Sequence, residues 1–165
     1  VMIVVSDTSA IANLAIVDHL WLLQVIYESV IIPDTVAREI AVASNPKISS
    51  ILQLDWIQIH LLSPHGYELA EQLQRERGLD AGEAHSIALA LDLQADELLM
   101  DERLGRREAN RLGLSIVGIL GVLLVAKRIN LIPQVKPIID NLINQAGFRV
   151  SSQLYENILI FAQEI

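Results

Sequence analysis

Short runs of consecutive apolar residues alternate along the chain with longer stretches in which apolar residues recur every three or four positions. The first run, residues 1–5, is mostly β-branched and is typical of a strand buried on both faces of a parallel sheet. Further runs predict strands over residues 29–32, 56–61, 97–100 and 115–117. The intervening patterns predict helices over residues 10–17, 20–27, 34–43, 47–54, 64–77, 80–94, 102–112, 119–129, 133–145 and 151–164.

This alternation of strands and helices favours one α/β domain over residues 1–165. Parallel strands are connected by helices that pack on the two faces of the sheet. We therefore predict a three-layer α/β/α sandwich with a central, mainly parallel sheet. A helix-rich extension covers about residues 130–165. The pattern leaves open where the strand at 56–61 lies in the sheet.

Composition narrows the class of protein. The chain has no cysteine, which excludes disulfides and thiolate metal sites, and we expect a cytoplasmic protein. The uncharged stretch 112–126 is too short for a membrane span, since about 20 residues are needed, so no membrane association is predicted. A net charge of −8 argues against coating nucleic acid by bulk attraction, but clustered carboxylates can still bind cations that reverse the local charge.

Two acidic residues directly follow predicted strands. Asp7 ends the first strand and Asp101 follows the strand at 97–100. Ligands of open α/β sheets collect at the carboxyl ends of the strands, so both positions are candidate ligand sites. Each residue is alternatively a cap of the helix that follows it, and Glu102 competes with Asp101 for the place facing the crevice.

Two further acidic residues border the apolar faces of predicted helices. Glu39 lies at the edge of one apolar stripe, where a buried salt bridge is the alternative explanation. Glu83 borders another, where its spacing from Asp80 matches a capping box. Four carboxylates that converged at one crevice would repel each other unless a cation were present. Oxygen ligands alone favour Mg²⁺ or Mn²⁺, ions that typically act on phosphates.

The segments 5–10, 36–40, 82–88 and 98–103 resemble the PIN-domain nucleases, and the segment 146–151 is similar to a prokaryotic PIN subgroup close to VapC-type toxins. The resemblance implies a Mg²⁺- or Mn²⁺-dependent endoribonuclease that is often a homodimer and is often inhibited by a cognate antitoxin protein. It implies an acidic quartet of Asp7, Glu39, Glu83 and Asp101. It also implies a hydroxyl near the metal, from Thr8 or Ser9, with Glu102 as a supporting acid.

The sequence departs from the family pattern at two positions. The third acid is Glu83, where relatives frequently have Asp, and Met100 stands where a Thr or Ser usually precedes the fourth acid.

A basic face follows the fourth acid, and we predict that it contacts RNA through Arg103, Arg106 and Arg107. The alternative is a solvated helix face whose arginines pair with Glu102 and Glu108.

The predicted function is hydrolysis of RNA phosphodiester bonds by the toxin of a toxin–antitoxin pair. The alternatives are a non-catalytic PIN-like module that binds RNA or protein, and a nuclease or phosphatase acting on another phosphate substrate.

Overall fold

A central sheet of five parallel strands organises the molecule. The computed structural model describes residues 2–165, and within them the strands lie in the order β3-β2-β1-β4-β5. The strands are β1 (Val4–Ser6), β2 (Val30–Pro33), β3 (Ile57–His60), β4 (Glu97–Leu99) and β5 (Ile116–Val117). The predicted parallel sheet is confirmed, and the strand at 56–61 is one of its two edges.

Helices connect the strands and cover both faces of the sheet, which confirms the three-layer α/β/α architecture. They are α1 (Thr8–Ile16), α2 (Trp21–Tyr27), α3 (Asp34–Ala41), α4 (Pro46–Ser49), α5 (Pro64–Arg77), α6 (Ala81–Asp92), α7 (Arg103–Arg111), α8 (Ile119–Arg128), α9 (Lys136–Ala146) and α10 (Ser152–Phe161). The helix predicted over 47–54 divides into α4 and a 3₁₀ turn, Ser50–Gln53, and α9 begins three residues later than predicted.

Successive strand residues point into two separate apolar cores, as the two-residue period of a strand requires. In β1, Val4 belongs to the larger core and Val5 to the smaller one. The larger core also receives Ile139 and Leu142 of α9 and Leu159 of α10, so the C-terminal helices pack on the same side as α1 and α8.

The stretch 112–126 is divided between a turn, β5 and most of α8. Within residues 2–165, no helix combines the length and the apolar character that a bilayer crossing requires.

The order of the strands creates a crevice beside β1. The chain adds β2 and β3 on one side of β1, then crosses to the other side and adds β4 and β5. Ligand sites of open α/β sheets lie where the strand order reverses in this way, at the carboxyl ends of the strands. Asp7 and Asp101 follow the two strands that meet at this point, since Ser6 of β1 is paired with Leu99 of β4.

Candidate functional site

Asp7 combines a structural bond with a free carboxylate oxygen. The side chain is only 1% exposed. Its Oδ1 accepts a hydrogen bond from the Ala10 backbone N–H at 3.0 Å, so Asp7 is the N-cap of α1. Its Oδ2 is buried and has no hydrogen-bond partner. The cap explains one oxygen and leaves the other with a lone pair that is costly to bury without a partner.

Asp101 has the same arrangement, but the backbone N–H that it binds belongs to a distant helix. Its Oδ1 accepts from the Ile119 backbone N–H at 2.9 Å, at the first residue of α8. The alternative that Asp101 caps the helix beside it therefore does not apply, because the N-cap of α7 is Glu102, which makes no side-chain cap bond. The Oδ2 of Asp101 is buried without a partner, like that of Asp7.

The two aspartates share an unfavourable electrostatic environment. Burial raises the pKa of Asp7 from 3.8 to about 8; the Ala10 N–H opposes this shift, and the charges of Asp101 and Glu83 add to it. Burial also raises the pKa of Asp101, against the lowering effects of the Ile119 N–H and of the Arg106 guanidinium. Burial therefore disfavours the ionised form of both carboxyl groups, and a cation that contacts both would stabilise that form.

Glu83 forms the capping box that its spacing predicts as an alternative. Asp80 Oδ1 accepts from the Glu83 N–H at 2.8 Å, and Glu83 Oε1 accepts from the Asp80 N–H at 3.1 Å. Burial raises the pKa of Glu83 to about 7, and the Asp80 N–H lowers it. The second oxygen, Oε2, lies on the side of Gly105, where a Cβ would be 3.0 Å away.

Glu39 reaches the site from α3 and is held by a hydroxyl. Thr8 Oγ1 donates to Glu39 Oε2 at 2.5 Å. Among residues 2–165 no basic side chain lies within salt-bridge distance of Glu39, so the salt-bridge alternative does not apply. The neighbouring Arg38 instead pairs with Asp34 at 3.0 Å.

The predicted acids line two adjoining depressions that meet at Ser9. A pocket of about 230 Å³ contains Asp7, Glu39 and Glu83, together with Thr8 and Asp80. A neighbouring cleft of about 900 Å³ contains Asp101 and Glu102. The topology therefore gathers the predicted residues of four separate α/β units into one region.

The donor set fits a hard divalent cation held partly by water. Within residues 2–165, no three Asp, Glu, His or Cys side chains form a ready-made cage for an ion. Mg²⁺ usually keeps several waters and takes only one or two carboxylates from the protein. The unpartnered Oδ2 atoms of Asp7 and Asp101 are oxygen donors of the type that Mg²⁺ takes, and Glu39 and Glu83 line the same pocket as Asp7.

Two glycines leave space for charged side chains to lie against the backbone, and the sequence patterns do not indicate their role. A Cβ at Gly82 would lie 3.1 Å from both carboxylate oxygens of Glu39. A Cβ at Gly118 would lie 2.8 Å from Asp101 Oδ1 and 2.7 Å from Arg106 Nη1. Their contacts are with residues distant in sequence, so only the folded chain identifies them.

For the RNA cleavage that the sequence predicts, we expect Gly118→Ala to lower turnover at saturating RNA by about tenfold or more, because the new methyl group forces Asp101 away from its position. The melting temperature should change by only a few degrees, about 1 kcal/mol in stability. Gly121→Ala, in the first turn of α8, is the matched control, since it adds a methyl group to the lining of the same cleft but meets no atom within 4 Å. Equal turnover in the two variants would show that the position of Asp101 is unimportant.

Two of the three arginines predicted to contact RNA line the larger cleft, and the third does not. Arg103 and Arg106 line the 900 Å³ cleft, and Arg106 Nη1 donates to the Met100 carbonyl at 3.0 Å. Arg107 is exposed and does not line the cleft. Of the ion pairs offered as the alternative, the one with Glu108 is made by Arg111, at 2.7 Å. Arg149 also lines the cleft, although the helix pattern around Asp101 does not point to it.

Comparison with known proteins identifies the family. A family model described as DUF3368, a PIN domain, matches residues 3–164. No curated protein matches the chain. The match spans the whole sheet, all ten helices and each acidic residue described above. On the strength of this match, the chain belongs to the PIN-domain family.

Proposed function

We propose that this protein is a metal-dependent endoribonuclease, with Mg²⁺ or Mn²⁺ as its cofactor. PIN domains are nuclease-type modules that typically use divalent metals. The observation that carries the proposal is the pair of buried, unpartnered carboxylate oxygens at the carboxyl ends of β1 and β4. Such a pair is unfavourable in a structural role and suited to a cation that binds phosphate.

Each acidic side chain has a proposed part. Asp7 and Asp101 hold the ion directly, while Glu39 and Glu83 complete the site or hold a second ion through water. When bound, the ion neutralises charge on the phosphodiester and acts as a Lewis acid. Thr8 fixes Glu39 through its hydrogen bond, and Ser9 lies where the pocket and the cleft meet.

We further propose that the protein is the toxin of a toxin–antitoxin pair and forms a homodimer. The resemblance to VapC-type toxins supports this role. Exposed apolar side chains provide surface for a second copy or for an antitoxin: Trp21 is 42% exposed, Val25 is 53% exposed and Phe161 is 76% exposed.

The direct test compares three substrates: a labelled single-stranded RNA, the DNA of the same sequence and a phosphate monoester. We expect cleavage of RNA with Mg²⁺ or Mn²⁺, loss of cleavage with a chelator, and little reaction with the other two. Equal cleavage of RNA and DNA, or reaction with the monoester alone, would contradict the proposal that the protein is a ribonuclease. RNA binding without any cleavage would favour a non-catalytic module.

Expression in a bacterial host tests the toxin role. Growth arrest that depends on Asp7 would support it. Unimpaired growth of a host that produces a folded protein active on RNA in vitro would count against it.

A further inference from the structure

The 900 Å³ cleft beside Asp101 has walls of two kinds. One wall comes from α7 and the start of α8, and carries Arg103 and Arg106. The other comes from the segment between α9 and α10 and from α10 itself, and carries Phe148, Arg149 and Leu154. The cleft continues through Ser9 into the acidic pocket.

The arginines in this cleft differ in how far they are engaged within the protein: the Arg106 guanidinium donates to the Met100 carbonyl and lowers the pKa of Asp101, whereas Arg103 and Arg149 are exposed. Within residues 2–165, none of Arg103, Arg106 and Arg149 forms an ion pair with an acidic side chain. The chain as a whole has a net charge of −8, so the three arginines form a local exception. The acidic residues of the lining are Asp101, which belongs to the proposed metal site, and Glu102, which is exposed.

Arg149 is held in place by the structure on both sides of it. Gly147 ends α9 in the left-handed conformation, at φ +66°, and the Phe148 N–H donates to the Leu142 carbonyl at 3.0 Å. Two residues beyond Arg149, the Ser151 hydroxyl accepts from the Leu154 N–H at 3.1 Å and caps α10. The two caps fix the short segment over the cleft, while the Arg149 side chain stays exposed.

The apolar part of the lining indicates which kind of nucleic acid fits. Phe148 is half-buried against the larger core, and Leu154 is 43% exposed. Proteins that bind single strands combine basic side chains, which contact the backbone, with aromatic and apolar surface, which contacts unpaired bases. A duplex keeps its bases stacked inside and makes no use of such a surface.

We propose that Arg149 contacts a phosphate of the single-stranded RNA that this cleft holds next to the acidic site. The inference rests on the proposed function for the identity of the substrate. It adds a phosphate-binding residue from the C-terminal segment, which lines the same cleft as Arg103 and Arg106.

The test measures binding in the Asp7→Asn background, where cleavage does not interfere, with a short fluorescein-labelled single-stranded RNA at several salt concentrations. We expect Arg149→Ala to weaken binding by about three- to tenfold. The slope of log K against log salt should become shallower by about 0.7, the value for one phosphate contact on a single strand. Arg128→Ala, which removes an exposed arginine outside the cleft, should leave both quantities unchanged.

Further measurements separate a charge effect from damage to the fold. Arg149→Lys should restore most of the salt slope. An Arg149→Ala variant that matches Arg128→Ala in affinity and slope would overturn the proposal, as would equal binding of duplex and single-stranded RNA.

The proposal can fail independently of the ribonuclease. In the protein with Asp7 intact, Arg149→Ala should raise KM while leaving kcat nearly unchanged. If Arg149→Ala cleaves RNA with an unchanged KM, the proposed role of Arg149 in the cleft is wrong and the ribonuclease activity stands. If Arg149→Ala binds RNA more weakly and with less salt dependence, but the parent protein does not cleave RNA, the role of Arg149 stands and the ribonuclease proposal is wrong.

Discussion

Asp7→Asn lowers the rate of RNA cleavage by about a hundredfold or more, one of the two largest effects that we expect from a single substitution. The amide keeps the oxygen that accepts from the Ala10 N–H, so the N-cap of α1 is preserved. It replaces the free carboxylate oxygen with an uncharged group, which removes a proposed metal ligand. Initial rates with Mg²⁺ and with Mn²⁺ measure the loss.

The same substitution stabilises the metal-free protein at alkaline pH. The folded state raises the pKa of Asp7 from 3.8 to about 8, so between these values the folded protein binds one more proton than the unfolded chain. The free energy of unfolding therefore falls as pH rises from about 4 to about 8. In Asp7→Asn this loss is absent, and the melting temperature at pH 8 should exceed that of the parent protein by on the order of 10 °C.

The effect of metal ions on the melting temperature tests the same role of Asp7 without measuring activity. Mg²⁺ or Mn²⁺ should raise the melting temperature of the parent protein at pH 8 and do much less for Asp7→Asn, since only the folded parent has the site. Asp55→Asn is the control, because it makes the same chemical change at an exposed position outside the pocket and the cleft. Full cleavage by Asp7→Asn, or an equal response of both proteins to metal, would contradict the assigned role.

The ends of the strands could be predicted from the sequence because each is marked by residues that are adjacent in the chain. The buried run of β1 stops abruptly at a polar segment, and the parallel arrangement of the strands follows from the alternation of strands and helices. These two facts place Asp7 and Asp101 at one edge of the sheet. The capping box of Glu83 is also a local pattern, since Asp80 lies three residues before it.

Contacts between distant segments could not be predicted in this way. Asp101 caps α8 rather than the adjacent helix because β5 brings Ile119 back beside β4. Arg149 reaches the cleft because α9 and α10 pack on the larger core, and no spacing relates it to Arg103 or Arg106. Helix periodicity shows which face a residue occupies and does not show what lies opposite that face.

Comparison of Asp101→Asn with Glu102→Gln tests which of the two adjacent acids acts in the site. We expect Asp101→Asn to lose about a hundredfold in rate, because its carboxylate oxygen Oδ2 is buried, unpartnered and beside Asp7. Glu102→Gln should keep the rate within a few fold, since Glu102 is exposed and makes no cap bond to α7.

The two variants alter adjacent positions in the chain and each loses one negative charge, so each controls for the other. The amide introduced by Asp101→Asn retains an oxygen that accepts from the Ile119 N–H, which keeps the start of α8 in place. Far-ultraviolet circular dichroism and the melting temperature should therefore confirm folding in both variants. A severe loss in Glu102→Gln together with a mild one in Asp101→Asn would reverse the assignment, and the fourth ligand would then reach the site from the exposed rim of the cleft.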